Sequence, residues 1–400
     1  MEDGHKETME NGGQNVVDLP PEIMNEILSR LPVKQLCRFK LVSKSWESLI
    51  SDPDFVANYS KAAFENEDVF FRRRRLLFTN IIESGQHGIY SLDLDQFLSE
   101  NPNAGVDGLV AAPTELGFVY NLLQRGGSPC YPFVHGPCNG LFLARLCYGD
   151  YGYILINPVT KESKKSPKPP LWRPMEPFFG HTYGLGFDHS TNEYKVINGQ
   201  QYFGGVVFSV YTLQTDSWRQ IDCLFPYRDL HNDGVLVNGA VHRLAMKVGN
   251  QSWVIISFSL AEDRVREIAV PPNTANQPIQ LGAFRDWLCI TSLSNSETFN
   301  EFWVMKKYRE NGSWAKMQVP IPYHRLLHSG FWTSSHDLIM FDIWSHKSLL
   351  VMYNFNDDTY WTLSIDKVGA IRCIGIYVET LPPLTHRSRK TSSKEEESSQ

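Results

Sequence analysis

The side chains of this chain most able to do covalent or metal chemistry are its histidines and cysteines, and none of them falls into a reactive pattern. His324 and His328 stand four apart in YHRLLH, the spacing that sets two zinc ligands on one helix face. They follow Pro320 and Pro322 between strand-like runs, and no third ligand stands at a known spacing. Cys147 with His135 or His181 would make a nucleophile and its base, but nothing in the sequence brings them together. The seven cysteines are scattered and odd in number. Even the nearest of them, Cys130, Cys138 and Cys147, fit no common zinc spacing. They read as buried free thiols of a reducing compartment, which places the chain in the cytosol or nucleus. A phosphate-cradling Gly-x-x-x-x-Gly-Lys loop is missing as well. The expectation is a chain with no catalytic residues, no metal and no cofactor.

What remains is recognition. Three segments mix aromatic with basic residues, types enriched at binding hot spots. KSPKPPLWRPMEPFFGH carries Trp172, Arg173, Phe178 and Phe179; FPYRDLHND carries Tyr227, Arg228 and His231; PYHRLLHSG carries Tyr323, His324 and Arg325. Read as long loops, they are the candidates for touching a target; in the competing reading these aromatics seal a channel or pack between repeats. Arg72 to Arg75 form a basic run, read as a solvated face or else as a dock for an acidic partner. The net charge of −6 argues against a general nucleic-acid binder. No apolar run reaches the roughly eighteen residues a membrane span needs, and the polar, acidic start MEDGHKETMENGGQNVV is no secretory signal.

The elements that must position these residues are mostly strands. Aromatics make up 12% of the chain, which favours strands for its bulk. From about Val69 to Val378 the sequence is short alternating runs bounded by Gly, Asn, Asp and Pro. A phrase of strand, polar turn and strand recurs as YILINPVTKESKKSP, VFSVYTLQTDSWRQI, VIISFSLAEDRVREIAVPP, EFWVMKKYRENGSWAKMQVP and LLVMYNFNDDTYWTLSI. A weaker first copy is GIYSLDLDQFLSE, and a second hairpin precedes most copies. The period is roughly 45–55 residues, enough for the four strands of a propeller blade. Asn139–Gly140 and Asn238–Gly239 suit two-residue turns that need positive φ. The pattern predicts a six-bladed β-propeller, with a two-sheet sandwich as runner-up. The strand around Ile371–Val378 is expected to pair with that near Leu76–Thr79, closing the ring and removing an exposed edge.

Ahead of it, residues 18–52 read DLPPEIMNEILSRLPVKQLCRFKLVSKSWESLISD. Ile23, Ile27 and Leu31 share a helix face; Leu36, Phe39 and Val42 form a second stripe, and Trp46, Leu49 and Ile50 a third. Pro32 separates the first helix from the second, and Ser43, with Glu47 a turn later, is placed to cap the third. Phe55, Tyr59 and Ala62–Ala63 of the next amphipathic stretch are expected to pack on an internal Trp46. So small a unit cannot cover all its apolar faces alone. The expected division is a disordered 1–15, a helical 16–65, a propeller-like 69–380 and a loose charged tail at 386–400. In that tail Arg387, Arg389 and Lys390 read first as solvated charge, with a weak nuclear signal as the minority reading.

The helical segment resembles the F-box. Leu19-Pro20, Glu22-Ile23, Ile27-Leu28, Leu31-Pro32-Val33, Leu36, Arg38-Phe39 and Val42-Ser43-Lys44-Ser45-Trp46 follow the plant version closely. Cys37 stands where leucine is frequent and Leu41 where cysteine is frequent. The resemblance implies docking onto the Skp adaptor, and through it a cullin, with Leu19, Pro20, Ile23, Ile27, Leu31, Val33, Leu36 and Phe39 as contacts. CNGL, INPVTKE, GLGFDHSTNEYKV, VYTLQTDSWRQI, GVLVNGAVHRLA, FSLAEDRVREIAVP and FWVMKKY likewise resemble the plant F-box-associated, kelch-like domain. The double-glycine signature of true kelch blades is absent. Together these likenesses imply a non-catalytic substrate-recognition subunit of a Skp–cullin–F-box ubiquitin ligase, which binds an unidentified protein and neither nucleic acid nor membrane. An adaptor-binding scaffold or a carbohydrate-reading module is the alternative.

Overall fold

The computed structural model describes residues 19–81, 87–93, 96, 109–111, 113–123, 133–146, 152–170, 181–274, 278–293, 297–323, 326–332, 337–341, 349–354, 358–365, 371–381 and 384. It opens with helices α1 (Pro21–Ser29), α2 (Val33–Phe39), α3 (Lys44–Ile50), α4 (Pro53–Glu65) and α5 (Glu67–Arg73). Local chemistry sets their limits. Pro32 is the N-cap of α2, and Ser43 accepts a hydrogen bond from the Trp46 amide at 3.2 Å to start α3. Asp52 and Asn66 cap α4 and α5 in the same way. The strand grammar read from Val69 therefore begins later, because capped α5 runs on to Arg73.

The strands follow without a break in logic. β1 (Arg74–Ile81), β2 (His87–Leu92), β3 (Leu109–Ala111) and β4 (Thr114–Glu115) precede α6 (Gly117–Leu123). Then come β5 (Phe133–Cys138), β6 (Leu141–Leu146), β7 (Gly152–Ile156) and β8 (Ser163–Lys165). A third group is β9 (His181–Asp188), β10 (Glu193–Tyr202), β11 (Gly205–Thr212) and β12 (Ser217–Gln220). A fourth is β13 (Tyr227–Val237), β14 (Ala240–Lys247), β15 (Trp253–Ser259) and β16 (Arg264–Ala269). A fifth is β17 (Ile279–Phe284), β18 (Trp287–Ser292), β19 (Phe299–Met305) and β20 (Trp314–Tyr323). β21 (Leu326–Trp332), β22 (Asp337–Phe341), β23 (Leu349–Asn354), β24 (Thr359–Ile365) and β25 (Ile371–Val378) complete the order.

Each run of four pairs antiparallel with its neighbours, as two successive hairpins should. Two sheets depart from simple succession. β3 adds parallel to β24, making that sheet five-stranded, and β25 joins β1, β2 and β4. β5, β9, β13, β17, β21 and β25 lie side by side in that order, and β25 returns to β5. The domain is thus a propeller. Its closure is the expected one: Leu76 faces Ile376 and Phe78 faces Ile374 across the β1–β25 pair.

The sequence repeat has a backbone cause. Lys161, Asp216, Asp263, Arg309 and Asp358 all have positive φ, and each lies in the connection between the last two strands of its unit. They recur at roughly 45–55 residues, the period of the repeat. Asn139 and Asn238 also have positive φ, as do Gly140 and Gly239 after them, so both Asn-Gly pairs make the expected tight turns. Apolar side chains fill the seams between sheets. Leu141, Leu143, Leu155, Leu185 and Val196 share one core, Phe208, Val241, Ile256 and Phe258 another.

The basic run is a correction. Arg73 and Arg74 are buried, with 5% and 3% exposure. Arg73 lies 3.6 Å from the Tyr59 ring centre and donates to the Tyr59 carbonyl at 3.0 Å and to that of Ser29. Arg75 pairs with Asp93 at 2.9 Å and Glu379 at 3.2 Å. The run is mortar between helices and ring, because the chain passes from α5 into β1 inside their contact. The residues beyond β25 seal the same joint. Glu379 donates its amide to the Arg73 carbonyl, Asn157 Nδ2 donates to the Thr380 carbonyl at 3.2 Å, and Thr380 Oγ1 donates to the Asn139 carbonyl at 2.8 Å.

Candidate functional site

Two surfaces stand out, at opposite ends of the molecule. On the helical unit, Leu28, Val33, Leu36, Ile50, Phe55, Val56 and Tyr59 are buried in one core, joined by Leu381 from beyond β25. Tyr59 fixes that core by donating to the Leu31 carbonyl at 2.7 Å. With the underside filled, none of the described residues covers the other row of α1. Ile23 and Ile27 are 50% and 45% exposed, Leu19 is similarly bare, and Pro20 is exposed between them. The loop from α2 to α3 adds Leu41 and Val42, 87% and 70% exposed. Apolar side chains bared together in this way mark a contact surface.

The expected contact residues divide on this geometry. Leu19, Pro20, Ile23 and Ile27 are open, while Leu31 and Phe39 are half-buried at the margin. Val33 and Leu36 are wholly buried. They are corrected from contacts to internal packing, since α2 lays them in the core with Leu28 and Tyr59. Trp46 is partly buried and meets Phe39 edge-on, with ring centres 5.0 Å apart. Leu41 and Val42 were not among the expected contacts. The signal for them was available: two apolar residues stand between a helix end and the capping Ser43, where no helical stripe can bury both.

The opposite surface follows from strand direction. β25 runs out to Val378 beside Arg74, and the Asn139 turn accepts from Thr380, so this end of the ring bears the helices. Antiparallel hairpins alternate ends, which puts the β10–β11 turn and the β12–β13 connection on the far side. There Phe203 is fully exposed and Leu224 is 51% exposed. Gly205 permits the close approach between them: its φ is +155°, and a Cβ there would meet the Phe225 carbonyl oxygen.

The aromatic and basic candidates fare unevenly. Trp172, Arg173, Phe178, Phe179, His324 and Arg325 lie outside the described residues. His231 belongs to β13, with its side chain outside the description. Tyr227 and Tyr323 are corrections, because their segments are strands rather than long loops. Tyr227 is buried and donates to Glu267 Oε1 at 2.9 Å; Tyr323 is buried and donates to the Glu301 carbonyl at 2.6 Å. Arg228 is half-buried, with a terminal nitrogen 3.6 Å from the Met246 sulfur.

Reactive chemistry gains nothing here. His135 is buried, its ring 3.8 Å from that of Tyr183, while Cys147 lies outside the described residues along with Arg387, Arg389 and Lys390. Among the described residues no group of His, Cys, Asp and Glu is placed to hold a metal ion, and no helix is long and apolar enough to cross a membrane. Of the described cysteines Cys138 and Cys289 are buried, Cys37 is partly covered, and Cys223 is exposed, against the expectation of buried thiols.

Known proteins match both parts. Residues 17–58 match the F-box domain, and residues 128–386 match the F-box associated beta propeller domain. An F-box/kelch-repeat protein of Arabidopsis thaliana is 28% identical, over 91% of this chain and 95% of its own length. The F-box protein CPR1 of the same plant is 26% identical, over 75% of this chain and 72% of its own. Among solved structures, TolB from Acinetobacter baumannii is similar with a TM-score of 0.48 and 8% identity, over 80% of this chain and 70% of that one. That last likeness is too loose to carry weight. The chain is a plant-type F-box protein, and its ring belongs to the F-box associated beta propeller family.

Proposed function

We propose that this protein is the substrate-recognition subunit of a Skp–cullin–F-box ubiquitin ligase. The observation that carries the reading is the bared row of Leu19, Ile23 and Ile27, with Leu41 and Val42, over a helical core that is otherwise filled. A Skp-type adaptor supplies the missing cover and brings the cullin with it. Each large apolar side chain buried contributes about 1.5–3 kcal/mol, so five anchors suffice for a tight contact after the costs of association. The far end of the ring holds the target protein. The subunit breaks no bond itself; it raises the local concentration of target lysines near activated ubiquitin. Such work belongs to the cytoplasm or nucleus. We further read each of the six sheets that the described residues form as one blade, residues 16–65 as the adaptor module and 69–380 as the target module.

The test is co-purification with the adaptor. Ile23→Asp with Ile27→Asp is expected to abolish it while far-ultraviolet circular dichroism and melting stay near wild type, since both side chains already face water. Full adaptor yield from the folded double variant would overturn the reading. Leu36→Asp is the wrong probe, because it would charge the core.

A further inference from the structure

The seam between the β5–β8 sheet and the β9–β12 sheet changes character along its length. At the helix end it is apolar, with Leu141, Leu143, Leu155, Leu185 and Val196 packed together. Toward the far end it turns polar. Alternation on β6 sends Arg145 to the same face as Leu141 and Leu143, and alternation on β10 sends Asn198 and Gln200 to the same face as Val196. Arg145 is directly opposite Tyr153 in the β6–β7 pair. Its guanidinium lies 5.4 Å from the Tyr183 ring centre, and the Tyr183 ring is 5.3 Å from that of Tyr153.

Tyr153 joins the group together. Its hydroxyl donates to Asn198 Oδ1 at 2.6 Å. Burial pushes that hydroxyl up, and Arg145 and Arg243 both lie near enough to pull it back down. Arg243 comes from β14 of the next sheet, where its terminal nitrogen and the Tyr183 carbonyl oxygen both border Gly234. Asn198 is 0% exposed and Gln200 3%. Yet among the described residues Asn198 Nδ2 has nothing to donate to, and Gln200 Oε1 has nothing to accept from. A buried amide left in that state costs free energy. Here the unsatisfied donor sits in a positive field, and an unsatisfied acceptor stands two residues along the same strand face.

We propose that this polar seam, in the half of the ring away from the helices, takes the anionic side chain of an extended target peptide. The carboxylate or phosphoryl oxygens accept from Asn198 Nδ2 in the field of Arg145 and Arg243, and a peptide N–H donates to Gln200 Oε1. The inference rests on the ligase reading for the word target, but the anion site can be tested apart from it.

The experiment uses the full chain with its co-expressed adaptor. Fluorescein-labelled decapeptide pools, random but for a central Glu, phosphoserine or Gln, are titrated in fluorescence polarisation, with inorganic phosphate as competitor. Wild type is expected to bind a Glu or phosphoserine pool at least tenfold more tightly than the Gln pool. Which of the two binds better identifies the anion as carboxylate or phosphate. Asn198→Asp keeps an acceptor for Tyr153 but puts a negative charge where the donor was, and is expected to erase that preference. Arg145→Gln is expected to reduce it. Equal affinity for all three pools overturns the proposal, as does an unchanged preference in a folded Asn198→Asp. Saturation by inorganic phosphate without any peptide preference overturns it too, and so does a crystal structure with only an ordered water on Asn198. Adaptor yield in the same preparations reports separately on the ligase reading.

Discussion

Arg73 gives its guanidinium to carbonyls on two separate helices and lays its plane on Tyr59. A buried carbonyl robbed of its donor costs about 1–3 kcal/mol, so Arg73→Met is expected to lower stability by about 2–5 kcal/mol in denaturant titrations. Arg73→Lys should recover little, because an ammonium cannot reproduce the planar fork. His242 supplies a pH-dependent counterpart. It is wholly buried, with its ring nitrogens near the Val235 carbonyl and the Tyr308 hydroxyl, and burial pushes its pKa down to about 4. The unfolded chain, titrating near about 6.5, then binds the proton more readily. This stability is complete above that value and is lost as pH falls toward 4, by up to about 3 kcal/mol. Melting curves between pH 7 and 4 should show the loss, and His242→Gln should flatten its slope. Residues such as Ser43 and the two Asn-Gly pairs were legible in the sequence because their roles are fulfilled within a few positions. Arg73, Val33 and Tyr227 were not, since burial by a distant segment decided their fate.

At the level of elements, the same turn is used twice under different loads. Gly140 and Gly239 both follow an asparagine and both have positive φ. A Cβ on Gly239 would meet open space, whereas one on Gly140 would run into Thr380 Oγ1 and the Val378 carbonyl oxygen. Gly239→Ala is expected to cost about 1 kcal/mol, from backbone conformation alone. Gly140→Ala should cost at least twice that in matched urea titrations, and a similar loss in both would deny the crowding. Neighbouring sheets are also clasped across their turns, by Lys164 with Asp216 at 2.6 Å and by Arg219 with Asp263. These pairs are partly exposed, so Lys164→Met should cost less than about 1 kcal/mol. The period of the repeat was readable because each left-handed turn residue leaves a polar signature. α5 and the parallel strand β3 were not, as neither repeats.

For the whole molecule, the two ends of the described chain share one joint. Leu381 packs in the helical core and Leu384 in the seam beside Cys138. Ending the chain at Val378 is therefore expected to abolish adaptor co-purification and raise hydrogen exchange in α1 and α4, whereas ending it at residue 386 should change neither. The ring's closure was foreseen from the sequence because an unpaired last strand would be a liability. The fusion of helices to ring was not, since it depends on residues far apart in the chain. That fusion also orders events during synthesis. The ribosome makes helices α1 to α5 first, yet their core lacks Leu381 until the entire propeller has followed. On the proposed reading, an aborted product would carry the bared residues of α1 on an unfinished scaffold, and recruitment to a ligase would then test that translation had passed through the ring.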